Sequence, residues 1–149
     1  MQEKINIFTD GGSRSNPGIA GVGVHIETST GEKIFDEAKF LGIKTNNEAE
    51  YLAFLEALQF LVTFCQQQKE MKKEISFHFY SDSKLMVEQL NRRWKIKEAR
   101  LQNLAQTAWQ LLQSLPYPYE ITHILREKNT VADALANQAM DSANSADSE

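Results

Sequence analysis

One cysteine and three prolines are all that this 149-residue chain has of either residue. The single thiol, Cys65, excludes an intrachain disulfide and fits a reducing compartment. It falls on an apolar helical stripe, which reads as a core position and not as a nucleophile. No apolar run approaches the roughly 20 residues that a membrane-spanning helix needs. The opening MQEKINIF enters a strand without a signal-peptide core, so a cytoplasmic protein is expected. Excess positive charge is also lacking. The net charge is −4, which at first argues against a nucleic-acid partner. Its distribution weakens that objection. Beyond Met140 stand Asp141, Asp147 and Glu149 with no base, so residues 1–140 carry only −1. The stretch RRWKIKEAR sets Arg92, Arg93, Lys95, Lys97 and Arg100 against Glu98 alone. What remains is ordinary for a globular protein: an apolar fraction of 42% in a chain long enough for one domain.

Hydrophobic patterning gives the elements. KINIFTD alternates Ile5 and Ile7 against Asn6 and reads as a strand, followed by the turn chemistry of GGSRSNPG. AGVGVHIET and GEKIFDEAKFLG read as two further strands on short connections, which favours an antiparallel meander. NNEAEYLAFLEALQFLVTFCQQQ is a long helix with Tyr51, Phe54, Leu55, Leu58, Leu61, Val62 and Cys65 on one stripe. ISFHFYSD is a fourth strand, and SKLMVEQLN and EARLQNLAQTAWQLLQSL are helices. YEITHIL is a fifth strand and NTVADALANQAM a last helix. The order βββ-α-β-α-α-β-α predicts an α/β domain with a mixed five-stranded sheet and helices on its faces. We expect the domain over residues 1–141 and a small, polar, acidic, disordered tail over 142–149.

Four acids stand at element boundaries: Asp10 in IFTDGGSRSNPG, Glu50 in TNNEAEY, Asp82 in FYSDSK and Asp133 in NTVADALAN. Each alone has a plain reading. Asp10 suits a turn, and Asp82 suits a helix N-cap that Ser81 or Ser83 could equally supply. Asp133 suits the first turn of a helix, where the dipole favours an acid. Glu48 and Glu50 diverge by about 200° on their helix, so at most one faces a given site, and periodicity leaves open which. The other is expected to be a solvated first-turn glutamate. Four carboxylates converging from distant segments would make a hard-oxygen site for Mg²⁺ or Mn²⁺, as phosphoryl-transfer chemistry requires. Two Mg²⁺ ions would bring residues 1–140 to about +3.

With TDGGSRSNPG, TNNEAEY, SDSK and REKNTVADALAN in this order, the chain resembles the type 1 ribonuclease H family from about Lys4 to Met140. The resemblance implies the ribonuclease H-like fold, with sheet order 3-2-1-4-5. It implies an endonuclease, a metal-dependent phosphodiester hydrolase that cuts the RNA strand of RNA–DNA hybrids to 5′-phosphate and 3′-hydroxyl ends. It also implies that Asp10, Glu50, Asp82 and Asp133 hold two Mg²⁺ ions, with Mn²⁺ able to substitute, and it selects Glu50 over Glu48. Asn16, Asn46 and Asn47 match contacts to bases and 2′-hydroxyls, the group that distinguishes RNA from DNA. They also suit Asx turns and a helix N-cap. Thr45 matches a DNA-phosphate contact, and Ser13, Ser15 and Lys84 are further candidates. The mobile histidine of many members would fall at His123, but ITHIL places it in a strand. Glu127 or Arg126 would then take its product-release role, as in the shorter, archaeal-like branch without the basic protrusion. RRWKIKEAR is either a reduced version of that protrusion, with Trp94 against a DNA sugar, or a turn with a buried Trp. The expected protein is a monomer.

Two other classes fit the same acids. A catalytically silent hybrid-binding domain would show no metal-dependent cleavage. A phosphatase on small esters would hydrolyse a chromogenic phosphate monoester, which a nuclease ignores.

Overall fold

The structure, a computed structural model of the chain, describes residues 2–67 and 74–147. Strands β1 (Gln2–Ser13), β2 (Gly18–Thr28) and β3 (Lys33–Lys44) form the antiparallel meander. Helix α1 (Asn46–Gln67) leads to β4 (Glu74–Ser81), then α2 (Lys84–Leu90), α3 (Ala99–Ser114), β5 (Tyr119–His123), a 3₁₀ turn (Arg126–Lys128) and α4 (Thr130–Asp147). The sheet order is β3-β2-β1-β4-β5, with β4 parallel to both β1 and β5. Both the element order and the mixed sheet are those expected. Gln68, the last residue expected in α1, lies outside the described residues.

Alternation sorts the strands onto two faces. Ile5, Ile7 and Thr9 of β1, Val24 and Ile26 of β2, and Phe77 and Phe79 of β4 are buried against α1. From α1, Tyr51, Phe54, Leu55, Leu58 and Leu61 enter that core as the stripe predicts, while Val62 and Cys65 pack half-buried at its margin. Leu101, Ala105, Ala108 and Leu112 recur at three to four residues along α3 and pack on the same core. The Tyr51 hydroxyl is buried but donates to Gln89 Oε1 at 2.7 Å, which joins α1 to α2. Among the described residues no helix is long and apolar enough to cross a membrane.

The opposite face is covered at one end by α4. Gly23 permits this approach: a Cβ there would stand 2.1 Å from the Ala132 carbonyl oxygen. Ala132, Ala136 and Ala139 present the small surface that meets it. Helix α4 continues to Asp147, where we expected a disordered tail over residues 142–149. The segment DSANSAD contains neither glycine nor proline, so nothing in it stops a helix already under way, and Ala143 is buried. Ser148 and Glu149 lie outside the described residues.

Candidate active site

The parallel register of β1 and β4 builds the site. Thr9 pairs with Ser81, so Asp10, still within β1 and paired with Gly23 and not in the turn that its sequence suited, stands beside Asp82, the first residue beyond β4. Ligands of open α/β sheets bind at such carboxyl ends. Helix α1 brings Glu50 to the same point. Gly11 N–H donates to Glu50 Oε1 at 2.7 Å. The contact is possible because residue 11 has no side chain: a Cβ would lie 2.1 Å from the Ala49 carbonyl oxygen. One carboxylate oxygen each from Asp10, Glu50 and Asp82 lies within 4.8 Å of the others. Asp133 enters the same cleft from α4, close enough to Asp10 to raise its pKa. Its helix is fastened to β1 by Asn129, whose Nδ2 donates to the Thr9 carbonyl at 2.9 Å and whose carbonyl accepts Asp133 N–H at 3.1 Å. The four acids line one open cleft of about 550 Å³.

Crowding of like charges in a partly dry site sets the protonation states. Burial first, then the charges of Asp82 and Asp133 and a hydrogen bond with Asp133, push Asp10 up to about 8. Burial and the charges of Asp10 and Asp82 raise Glu50 well above the ordinary carboxylate range, against the lowering effect of Gly11 N–H. Burial also raises Asp82, with Arg126 opposing it. A site that holds protons for lack of countercharge is one that a divalent cation would fill. The donors are all carboxylate oxygens, which suits a hard ion.

The other candidates divide. Ser13, Asn46, Lys84 and Arg126 line the cleft with the acids. Ser13 Oγ also donates to the Lys44 carbonyl at 3.0 Å, and Arg126 stands 3.6 Å from Asp133. Asn16, Thr45 and Asn47 lie outside that lining. Asn16 Oδ1 accepts Asn46 N–H at 3.1 Å and so ties the β1–β2 turn to the start of α1. Thr45, not an asparagine, caps α1: its Oγ1 accepts Glu48 N–H at 3.1 Å. Glu48 returns the bond to Thr45 N–H, also at 3.1 Å. Glu48 is therefore buried in a capping box and is not the solvated glutamate expected. The spacing Thr-x-x-Glu in TNNE carried that signal. The N-cap of α2 is Ser83, so Asp82 is spared for the site. His123 is the last residue of β5 and Glu127 an exposed residue of the 3₁₀ turn, and neither lines the cleft. Trp94 is exposed, which overturns the buried-Trp alternative, and Lys84 Nζ lies 5.9 Å from its ring centroid. Trp109 is the packed indole, with Arg92 stacked over it at 3.8 Å. Sequence reading missed two residues: Asn129, and Arg14, which lines the cleft from the turn after β1.

A family model described as reverse transcriptase-like matches residues 8–139. A bifunctional protein of Mycobacterium tuberculosis is 38% identical over 94% of this chain, and ribonuclease HI of Halobacterium salinarum is 34% identical, also over 94%. The chain belongs to the type 1 ribonuclease H family. It spans 36% of the length of the mycobacterial protein and 66% of the halobacterial one. The ribonuclease H fold extends over the whole match. The N-terminal ribonuclease H domain of the mycobacterial protein superposes with a TM-score of 0.84 at 35% identity, covering 96% of this chain and 97% of that one. LC11-RNase H1, solved in complex with an RNA/DNA hybrid, superposes at 0.83 with 37% identity, covering 93% and 98%. Residues 91–98, between α2 and α3, form no helix, and the archaeal ribonuclease H1 of Halobacterium salinarum superposes with a TM-score of 0.82 at 32% identity, covering 93% of this chain and 98% of that one.

Proposed function

We propose that the protein is a ribonuclease H that hydrolyses the RNA strand of RNA–DNA hybrids as an endonuclease. The observation that carries this reading is the convergence of Asp10, Glu50, Asp82 and Asp133 in one open cleft. The hybrid-bound LC11-RNase H1, alike over nearly its whole length, supports the choice of substrate.

The four carboxylates would hold two Mg²⁺ ions, with Mn²⁺ able to substitute; when bound, these supply an activated water and stabilise the departing 3′ oxygen, leaving a 5′-phosphate. The chain's own residues do the remaining work. The Gly11 N–H orients Glu50, and Asn129 fixes the helix of Asp133 against the strand of Asp10. Lys84 and Arg126 flank the acids and offset the charge of an incoming phosphate. Arg126, the one product-release candidate in the cleft, would draw the cleaved phosphate away from Asp133. Asn46 lines the cleft and is tied to Asn16 on the β1–β2 turn; with Asn47 and Thr45 these would read 2′-hydroxyls and a DNA phosphate. The basic loop at 91–98 would meet the DNA strand, with Trp94 exposed for a sugar. The expected partner is thus the hybrid alone, bound by a monomer.

The test is cleavage of an end-labelled hybrid with Mg²⁺, beside RNA–RNA, DNA–DNA and single-stranded RNA, with and without EDTA. Cutting of the hybrid's RNA strand alone, lost in EDTA and leaving 5′-phosphates, is expected. Folded protein that leaves the hybrid intact with either Mg²⁺ or Mn²⁺ would point to a silent binding domain. Hydrolysis of p-nitrophenyl phosphate in its place would point to a phosphatase.

A further inference from the structure

Three cations line the cleft, and two of them stand near the acids in space or in sequence. Lys84 is two residues from Asp82, and Arg126 stands against Asp133. The third, Arg14, is set apart. It follows the end of β1, roughly 13 Å along the strand from Asp10 at about 3.3 Å per residue. Its backbone is fixed, since Arg14 N–H donates to the Ile19 carbonyl at 2.9 Å. Its guanidinium is held from one side only. Nη2 donates to Asp141 Oδ1 at 2.5 Å and to the Asn137 carbonyl at 3.4 Å, both on α4. Nε and Nη1 have no hydrogen-bond partner among the described residues.

That arrangement does little for stability, because an exposed ion pair gains little over hydration. It does orient a five-donor fork whose remaining N–H groups suit a phosphate. The side chain is 35% exposed in the wall of the acid cleft, so an anion can reach it. We propose that Arg14 binds a backbone phosphate of the cleaved strand at a distance from the scissile one, held in position by Asp141 and the Asn137 carbonyl. The inference rests on the hybrid-cleaving reading and adds a contact to it. Arg14 extends the site along the polynucleotide, so it sets affinity and register and leaves the chemical step alone. Asp141 is a positioning residue that also competes with the phosphate for the fork.

Steady-state cleavage of the hybrid by Arg14→Ala, Arg14→Lys and Asp141→Asn, across a salt series with Mg²⁺, tests the assignment. Arg14→Ala is expected to raise KM about tenfold with kcat within about twofold of wild type. Its plot of log KM against log salt should be shallower by about 0.7–0.9, the loss of one phosphate contact. Arg14→Lys keeps the charge and hence the slope, with part of the affinity lost. Asp141→Asn keeps an oxygen to accept from Nη2 but removes the charge that competes with the phosphate, so KM should stay at or below the wild-type value. A merely structural clamp would raise KM in Arg14→Ala with no change in the salt slope, and that result would overturn the proposal. So would an Arg14→Ala variant with wild-type KM and slope. If wild-type protein cut no hybrid, the functional reading would fail by itself. Fluorescence anisotropy of the same labelled hybrid would still read Arg14, and unchanged affinity and slope there would count against it.

Discussion

Asp10 concentrates the conflict between fold and chemistry in one side chain. Its carboxyl titrates near 3.8 in an unfolded chain and about 8 in the folded, metal-free protein. Between those values the folded state binds more protons than the unfolded one, so stability falls as pH rises through the window. Asp10→Asn removes that penalty. The metal-free variant is expected to melt above wild type at pH 8 and level with it near pH 4, which a pair of thermal melts in EDTA would show. Saturating Mg²⁺ should narrow or reverse the difference at pH 8, because only wild type has the full set of ligands. Glu48 makes the opposite case. Glu48→Gln keeps an oxygen to accept the Thr45 N–H, so cleavage and stability should stay near wild type, whereas Glu48→Ala should cost about 1 kcal/mol in urea unfolding. A collapse of catalysis in Glu48→Gln would mean that the wrong glutamate has been assigned to the site. At this scale the sequence was legible where a residue's role is local. Asp82 could be released from capping because serines flank it on both sides. Asn129 and Arg14 could not be read, since their partners, the Thr9 carbonyl and Asp141, lie more than a hundred residues away in the chain.

Among the elements, the packing of α1 on β1 decides whether the site exists. Gly11→Ala would drive a methyl into the Ala49 backbone, and we expect a loss of about 2–3 kcal/mol together with displacement of Glu50 and loss of activity. Gly31→Ala is the control. Its φ of +89° is strained for alanine, but nothing lies within 4 Å, so the cost should be near 1 kcal/mol with activity intact. Urea titrations and cleavage rates of the two variants separate close approach from backbone strain. A second titrating group joins β3 to α1. Burial, then a hydrogen bond with Glu56 and its charge, push Glu37 up to about 7, against Lys39. Its folded pKa lies above its unfolded one, so it weakens the fold progressively as pH rises from about 4.5 to 7. Glu37→Gln should therefore raise the melting temperature at pH 8 and leave it unchanged at pH 4. The elements themselves were legible because each follows one period: Ile5 and Ile7 at two, Leu101 to Leu112 at three and four. The end of α4 was not, since DSANSAD is polar enough for a tail and lacks any residue that would stop a helix.

Across the whole molecule, the proposed function asks a chain of net charge −4 to accept a polyanion. The arrangement of its charges suits that task. The acids are gathered at one point where cations would neutralise them, while Arg14, Lys84 and Arg126 line the surrounding cleft and Arg92, Arg93 and Lys95 stand exposed beyond α2. Motif order made the fold and the convergence of the four acids readable in advance, because each motif lies near a strand end or a helix start. Which of the expected substrate contacts share the cleft with the acids was not readable. That depends on how the β1–β2 turn, α1 and α4 meet, and it leaves Asn46 in the lining with Asn16 and Asn47 outside it. On the proposed function the acid cluster performs the cleavage. The most direct test is the Mg²⁺-dependent rate at which folded Asp10→Asn cuts the RNA strand of a hybrid, measured beside wild type. Loss of one ligand from the cluster should remove several kcal/mol of transition-state stabilisation, a fall of about a thousandfold or more. A folded Asp10→Asn that cuts the hybrid at close to the wild-type rate would contradict the account.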